Sequence, residues 1–180
     1  HAVEAGSPHE LTACGIGVYG TTGRLEKCYR AFAAELESEY TVVEAGMQRP
    51  KVKEQDFVGK DAHLRHREEE PAAILCTLTI DDHASASGVK RYPLGREPIT
   101  LRGGRRPAGT PLTDAKGRRS YVTSAGAAPS LGKYVLMSYL PPEHAVEGST
   151  DLAVEYMTER LPVTVDVVGA RPIFDPENTR

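Results

Sequence analysis

Cysteine is scarce in this 180-residue chain, with Cys14, Cys28 and Cys76 forming an odd set that has no Cys-x-x-Cys spacing. That excludes a disulfide framework and fits reduced thiols, so a cytoplasmic location is expected. Long apolar runs are also lacking, and no signal-peptide pattern opens the chain. A membrane partner is therefore not expected. Nor is there an excess of positive charge: 22 Lys and Arg face 25 Asp and Glu, for a net charge of −3. That balance argues against a nucleic-acid partner. The densest basic group, Arg102, Arg105, Arg106, Arg118 and Arg119, lies in Gly/Pro-rich sequence and reads as a solvated loop face. A starting Met is missing too, and His1–Ala5 reads as the tail of a helix stopped by Gly6. The chain is thus expected to be the C-terminal piece of something longer.

No nucleophile–base pair emerges among its serines, cysteines and histidines. Asp81-Asp82-His83 sits on a polar loop where adjacent residues rarely converge on one substrate. His63 and His66 stand three apart on a predicted helix without a third ligand at useful spacing, so no metal site is expected. Cys14–Gly20 reads CGIGVYG and satisfies GxGxxG, but the preceding HELTA is too polar and short for a buried strand. A glycine-rich turn before a helix is the better reading.

What is present divides near residue 70. From Thr22, Leu25, Cys28, Tyr29 and Phe32 fall on one face of a predicted helix. Tyr40–Val43 reads as a brief extended run, and a charged helix is predicted over about Lys60–Glu69 before Pro71. Beyond it the pattern turns to strand: Ala72–Ile80, Glu97–Leu101, Arg119–Thr123, Tyr134–Tyr139, and a closing hairpin of Leu152–Met157 with Pro162–Val168. Ser124, Gly126, Pro129, Ser130, Gly132 and Lys133 read as a small-residue loop between two of these strands. The expected architecture is an α+β N-terminal portion over residues 1–70, followed by an all-β antiparallel barrel or sandwich over 71–180.

Several blocks carry a family resemblance in order. Cys14-Gly15-Ile16-Gly17 with Arg24-Leu25-Glu26 resembles CGLGARDxLRLE, and Glu44-Ala45-Gly46 follows a threonine at similar spacing. Asp56–Ala62 resembles DFIGKEAL, and Val122-Thr123-Ser124-Ala125-Gly126 with Ser130-Leu131-Gly132-Lys133 resembles VTSG…SLGK. Together they resemble the C-terminal part of the glycine-cleavage T-protein (aminomethyltransferase) family. The ending Phe174–Arg180, FDPENTR, resembles the folate domain of dimethylglycine and sarcosine dehydrogenases or oxidases, and that branch is the favoured reading over the free-standing T-protein.

The resemblance implies tetrahydrofolate as the one-carbon acceptor, with FAD in an upstream domain of an amine-oxidising parent. It implies partners in the folate and in the remainder of the parent chain. It places the catalytic Asp in a preceding half, so this chain carries no catalytic residue. Arg24 and Arg180 are the positions it implies near the folate, where a guanidinium suits a carboxylate. Phe32 matches a position that is aromatic in some members. Departures fall at Val18–Gly23, where the family reads ARD, at Gly46–Lys53, where Pro50 stands in an expected strand, and in a longer Gly103–Gly117 loop. Two other readings are a non-catalytic structural or interaction barrel, and a relative using a different methyl donor.

Overall fold

The computed structural model describes residues 1–49, 51–81, 87–103, 109–177 and 179. Its centre is a six-stranded antiparallel sheet built from β1 (Ile74–Ile80), β2 (Ile99–Leu101), β3 (Val122–Ala128), β4 (Lys133–Leu140), β5 (Leu152–Tyr156) and β6 (Glu159–Val168), in the order β2-β5-β6-β1-β4-β3. The two edges meet. Pro98, just before β2, bridges Tyr121, just before β3, and the backbone bonds Ile99 N–H to Ser120 (3.0 Å) and Val122 N–H to Glu97 (2.8 Å) close the sheet into a barrel. Closure removes edges that would otherwise be open to pairing with another chain.

The apolar run of β1 has a direct cause: both of its faces are covered. Cys76, Leu78 and Ile80 point into the barrel with Tyr134, Leu136 and Leu140 of β4 and Leu161, Val163 and Val165 of β6. Leu75, Val135, Met137 and Tyr139 point outward onto Leu25, Cys28 and Ala45. A strand buried on both sides cannot alternate apolar with polar. β5 and β6 turn through Met157 and Thr158, both at positive φ (49° and 66°), the handedness a two-residue hairpin needs.

The N-terminal third departs from expectation. Among the described residues its regular structure is three short α-helices, α1 (Ala2–Gly6), α2 (Arg24–Glu26) and α3 (Lys60–Glu68), with a 3₁₀ turn at Ser7–His9 and a π-helical stretch at Val18–Gly23 leading into α2. No strand forms there among the described residues, so the α+β character expected of residues 1–70 reduces to these helices. The helix predicted through Phe32 stops at Glu26 because Cys28 adopts φ 54°, outside helical space. Leu25 and Cys28 are buried, whereas Tyr29 and Phe32 are exposed, Phe32 by 90%.

Tyr40–Val43 is not extended either. Thr41 and Glu44 cap each other: the Thr41 N–H donates to the Glu44 carboxylate (2.8 Å) and the Glu44 N–H to the Thr41 hydroxyl (3.1 Å). This Thr-x-x-Glu pairing closes a single turn. The GxGxxG stretch runs into the π-helix, and its Ile16 and Tyr19 are exposed.

In the barrel the differences are smaller. Ser124 and Gly126, read as loop, lie within β3, and the turn shrinks to Pro129–Gly132. Pro50, Asp82, His83, Arg105, Arg106 and Arg180 lie outside the described residues.

Candidate functional site

Four consecutive residues, Arg24-Leu25-Glu26-Lys27, fasten the N-terminal segment to the barrel, each by a different chemistry. Arg24 donates from Nη2 to the Ser124 hydroxyl (2.7 Å) on β3. Leu25 packs over Gly126, where an added Cβ would lie 3.0 Å from Leu25 Cδ1. The glycine is there because the leucine approaches the strand backbone so closely. The Glu26 carboxylate accepts from the Ser130 N–H (2.9 Å) and hydroxyl (2.8 Å), and its carbonyl accepts from Ile173 and Phe174 N–H. Lys27 pairs with Asp175 (2.9 Å) and lies 5.7 Å from the centre of the Phe174 ring. The Arg24–Glu26 block, the Val122–Lys133 block and the Phe174–Asp175 ending, far apart in the sequence, are therefore one contact surface in space.

Arg24 is the most heavily used of the four. Its Nε donates to the Gly20 carbonyl (2.6 Å), and Nη1 to the Tyr29 carbonyl and to Glu35 Oε2 (both 3.1 Å). With Ser124, these partners take four of the five N–H groups a guanidinium offers. Among the described residues one Nη2 N–H is left.

Glu35, invisible as a site residue in the sequence, is fully buried. Its carboxylate also accepts from the Ala31 N–H (2.9 Å) and the Thr123 hydroxyl (2.7 Å), and its carbonyl accepts from the Tyr139 hydroxyl (2.8 Å). Thr123 and Ser124 can both reach this segment because the β3–β4 register slips between Val122 and Ser124. A bulge re-aims neighbouring side chains that a regular strand would send to opposite faces.

A second clamp lies beside the first. Arg118, read as part of a solvated basic loop, is instead largely buried between Glu44 and Asp114, with Nε 2.7 Å from Asp114. It also caps an aromatic stack, its guanidinium 4.5 Å from the Tyr40 ring centre and Tyr40 3.6 Å from Tyr139, nearly parallel. Burial works to raise the Glu44 carboxyl, but hydrogen bonds from Arg118 and the Thr41 N–H, with the charges of Arg118 and Lys116, hold it below the ordinary carboxylate value of 4.5. A carboxylate with a lowered folded pKa stabilises above its unfolded value and loses that contribution as pH falls through the folded one. The Tm gap between the wild type and Glu44→Gln should therefore be full at pH 7 and shrink as pH drops below 4.5. A gap that is constant from pH 7 to pH 3 would contradict this.

Next to these clamps is a groove. A cavity of about 600 Å³ is lined by Phe32, Leu36, Tyr40, Val42, Ala45 and Met47, among others. Val42 and Met47 also wall a neighbouring cavity of about 460 Å³ that holds Lys51, Lys53, Phe57 and His63. His63 and His66 lie on α3, and no group of three potential metal ligands occurs among the described residues. Cys28 and Cys76 are free and buried in the packing of the barrel, and burial pushes both thiols up, that of Cys76 to about 12. Among the described residues no helix is long and apolar enough to cross a membrane.

The fold and its fastening define a class, a closed antiparallel barrel strapped by an irregular helical segment. Residues 75–175 match the profile of the glycine cleavage T-protein C-terminal barrel domain, and the chain belongs to that family. It is 30% identical over 167 residues to an aminomethyltransferase of Streptomyces avermitilis, covering 90% of this chain and 39% of that protein. An aminomethyltransferase of Acidobacterium capsulatum is 31% identical over 144 residues, covering 79% and 33%. The structure of glycine cleavage system aminomethyltransferase T from Bartonella henselae matches with a TM-score of 0.60 at 20% identity, over 80% of this chain and 36% of that one, which shows a common fold. The chain spans about two fifths of the length of the curated relatives it matches.

Proposed function

We propose that this chain is the C-terminal part of a tetrahydrofolate-dependent aminomethyltransferase and supplies one wall of its folate cavity. The observation that carries this is the joining of the Arg24–Lys27 block to the barrel strand and turn at Ser124, Gly126 and Ser130, within a similarity that extends over 90% of the chain. The parent enzyme transfers a one-carbon unit to tetrahydrofolate. The acidic group that moves protons at the reacting nitrogen belongs to the preceding part of the parent chain, which would also cover the apolar groove at Phe32, Val42 and Met47.

The aminomethyltransferase relatives support a free-standing T-protein over an amine-oxidising parent with an FAD domain. The latter reading rests on the FDPENTR ending and on the Arg24–Tyr40 segment, whose RLEKCYR start resembles the RLEKGYR of that branch.

Arg24 is this chain's cation for the folate carboxylate. Among the described residues four protein acceptors fix its guanidinium and leave one N–H to present. Arg180 is the second candidate. Titration calorimetry of the intact parent protein with tetrahydrofolate tests both levels of the proposal. The wild type binds, and Arg24→Lys binds about tenfold more weakly even after the folded fraction is matched by temperature. No binding by the folded parent overturns the folate reading. A variant that loses Tm but keeps its affinity restricts Arg24 to holding the fold together.

A further inference from the structure

The seam where the barrel closes carries a cavity that the folate reading does not use. It encloses about 490 Å³ between the strand-flanking loops, and its walls include Glu39, Arg96, Pro98, Pro111, Arg119 and Tyr121. A second cavity of about 400 Å³ shares Arg96 and Tyr121 and extends towards Glu37 and Leu94. Two guanidiniums thus line one space, from opposite sides of the Pro98–Tyr121 bridge in sequence.

Neither Arg96 nor Arg119 has a carboxylate within ion-pair distance among the described residues, whereas Arg24, Arg91, Arg118, Arg160 and Arg171 all do. Glu39, which lines the same cavity, is engaged by the Tyr121 hydroxyl, whose pKa is raised by burial first and then by the charges of Glu39 and Glu37, against the lowering charge of Arg96.

The loop that presents Arg96 is braced well beyond what a connection requires. The Glu97 carboxylate accepts from both the Leu94 and Gly95 N–H groups (2.8 Å each), the Tyr134 hydroxyl donates to the Pro93 carbonyl (2.7 Å), and the Arg96 N–H donates to Val122 (2.6 Å). These bonds hold Arg96 at φ 71°, left-handed backbone that a long side chain seldom adopts. Such strain persists where surroundings over-determine it, and it concentrates at ligand clamps. Arg119 is held comparably, paired to Thr113 across a hairpin whose turn is tied by Asp114 to the Lys116 and Arg118 N–H groups. The backbone beneath both exposed arginines is therefore fixed before any ligand arrives, which confines the ordering cost of binding to their side chains.

We propose that the seam cavity binds an oxyanion, the carboxylate or phosphate of a small molecule, between the Arg96 and Arg119 guanidiniums, with Pro98, Pro111 and the Tyr121 ring as apolar walls for its body. Planar guanidinium suits both oxyanions, since each offers paired oxygens to a fork of N–H donors. This site stands apart from the tetrahydrofolate reading and does not depend on it.

Calorimetric titration of the intact parent protein with inorganic phosphate, and separately with γ-linked triglutamate, tests it. At least one probe saturates. Phosphate alone assigns a phosphate ligand, triglutamate alone a carboxylate one, and both an unselective oxyanion site. Arg96→Gln and Arg119→Gln each weaken the binding about tenfold or more, and Glu39→Gln tightens it by removing an opposing charge. All three side chains are at the surface of the cavity, so Tm is expected to stay near that of the wild type. The proposal is overturned if neither probe saturates, or if either arginine variant titrates like the wild type.

Discussion

Replacement of Glu35 by alanine is expected to cost about 3–5 kcal/mol of folding stability, the range for breaking a buried, hydrogen-bonded charge pair by removing one partner. The carboxylate is wholly out of water and has three donors: Arg24, the Ala31 N–H and the Thr123 hydroxyl. Removing it strands a guanidinium that is itself mostly buried. Denaturant unfolding measures the loss. The companion variant Arg24→Met/Glu35→Leu separates causes, because deleting both charges leaves no unpaired ion and should cost clearly less than Glu35→Ala alone. A loss below about 1 kcal/mol for Glu35→Ala would mean that water reaches the site and the pair is not a buried one.

Gly46→Val is the second large effect, expected at about 2–6 kcal/mol from two sources acting together. Gly46 sits at φ 63°, which a β-branched residue adopts only under strain. An added Cβ would also meet the Ala170 Cβ at 2.6 Å and the Ala170 backbone nitrogen at 3.2 Å. The double variant Gly46→Val/Ala170→Gly relieves the side-chain clash and leaves the backbone strain, so it should recover part of the loss. Full recovery would show that φ contributes nothing, and no recovery that the clash is absorbed elsewhere.

The strands were legible because their cause is local. Ile74–Ile80 is rich in β-branched residues and Tyr134–Leu140 in apolar and aromatic ones, and composition alone marks both as buried strand. The N-terminal segment was less legible because its conformation is set by partners far away in sequence. Nothing near Cys28 announces that the helix must end there. It ends so that the chain can turn and bring Glu35 to Thr123 and Arg24, 88 and 11 residues distant. Ser124 and Gly126 read as loop because small residues favour turns. Their smallness in fact serves the close approach of Leu25 and Arg24 to a strand. Arg118 sits among glycines and arginines and looks solvated until Glu44 and Tyr40 are folded over it. One signal was available: Thr41 and Glu44 form a capping pair at the spacing the turn requires.

The strand order also has a consequence for how the polypeptide matures. β1 lies between β4 and β6, so its two neighbours are the fourth and the last strands to be synthesised. Ile74–Ile80, a run without a single charge, must wait for Lys133–Leu140 on one side and Glu159–Val168 on the other. Closure of distant pairings is slow, and an unpaired apolar strand is sticky while it waits. During synthesis the Arg24–Lys27 strap and the groove beside it emerge before the surface they fasten to exists. The barrel is therefore completed only when β6 arrives, and the growing chain carries its most aggregation-prone strand exposed until Glu159–Val168 has left the ribosome.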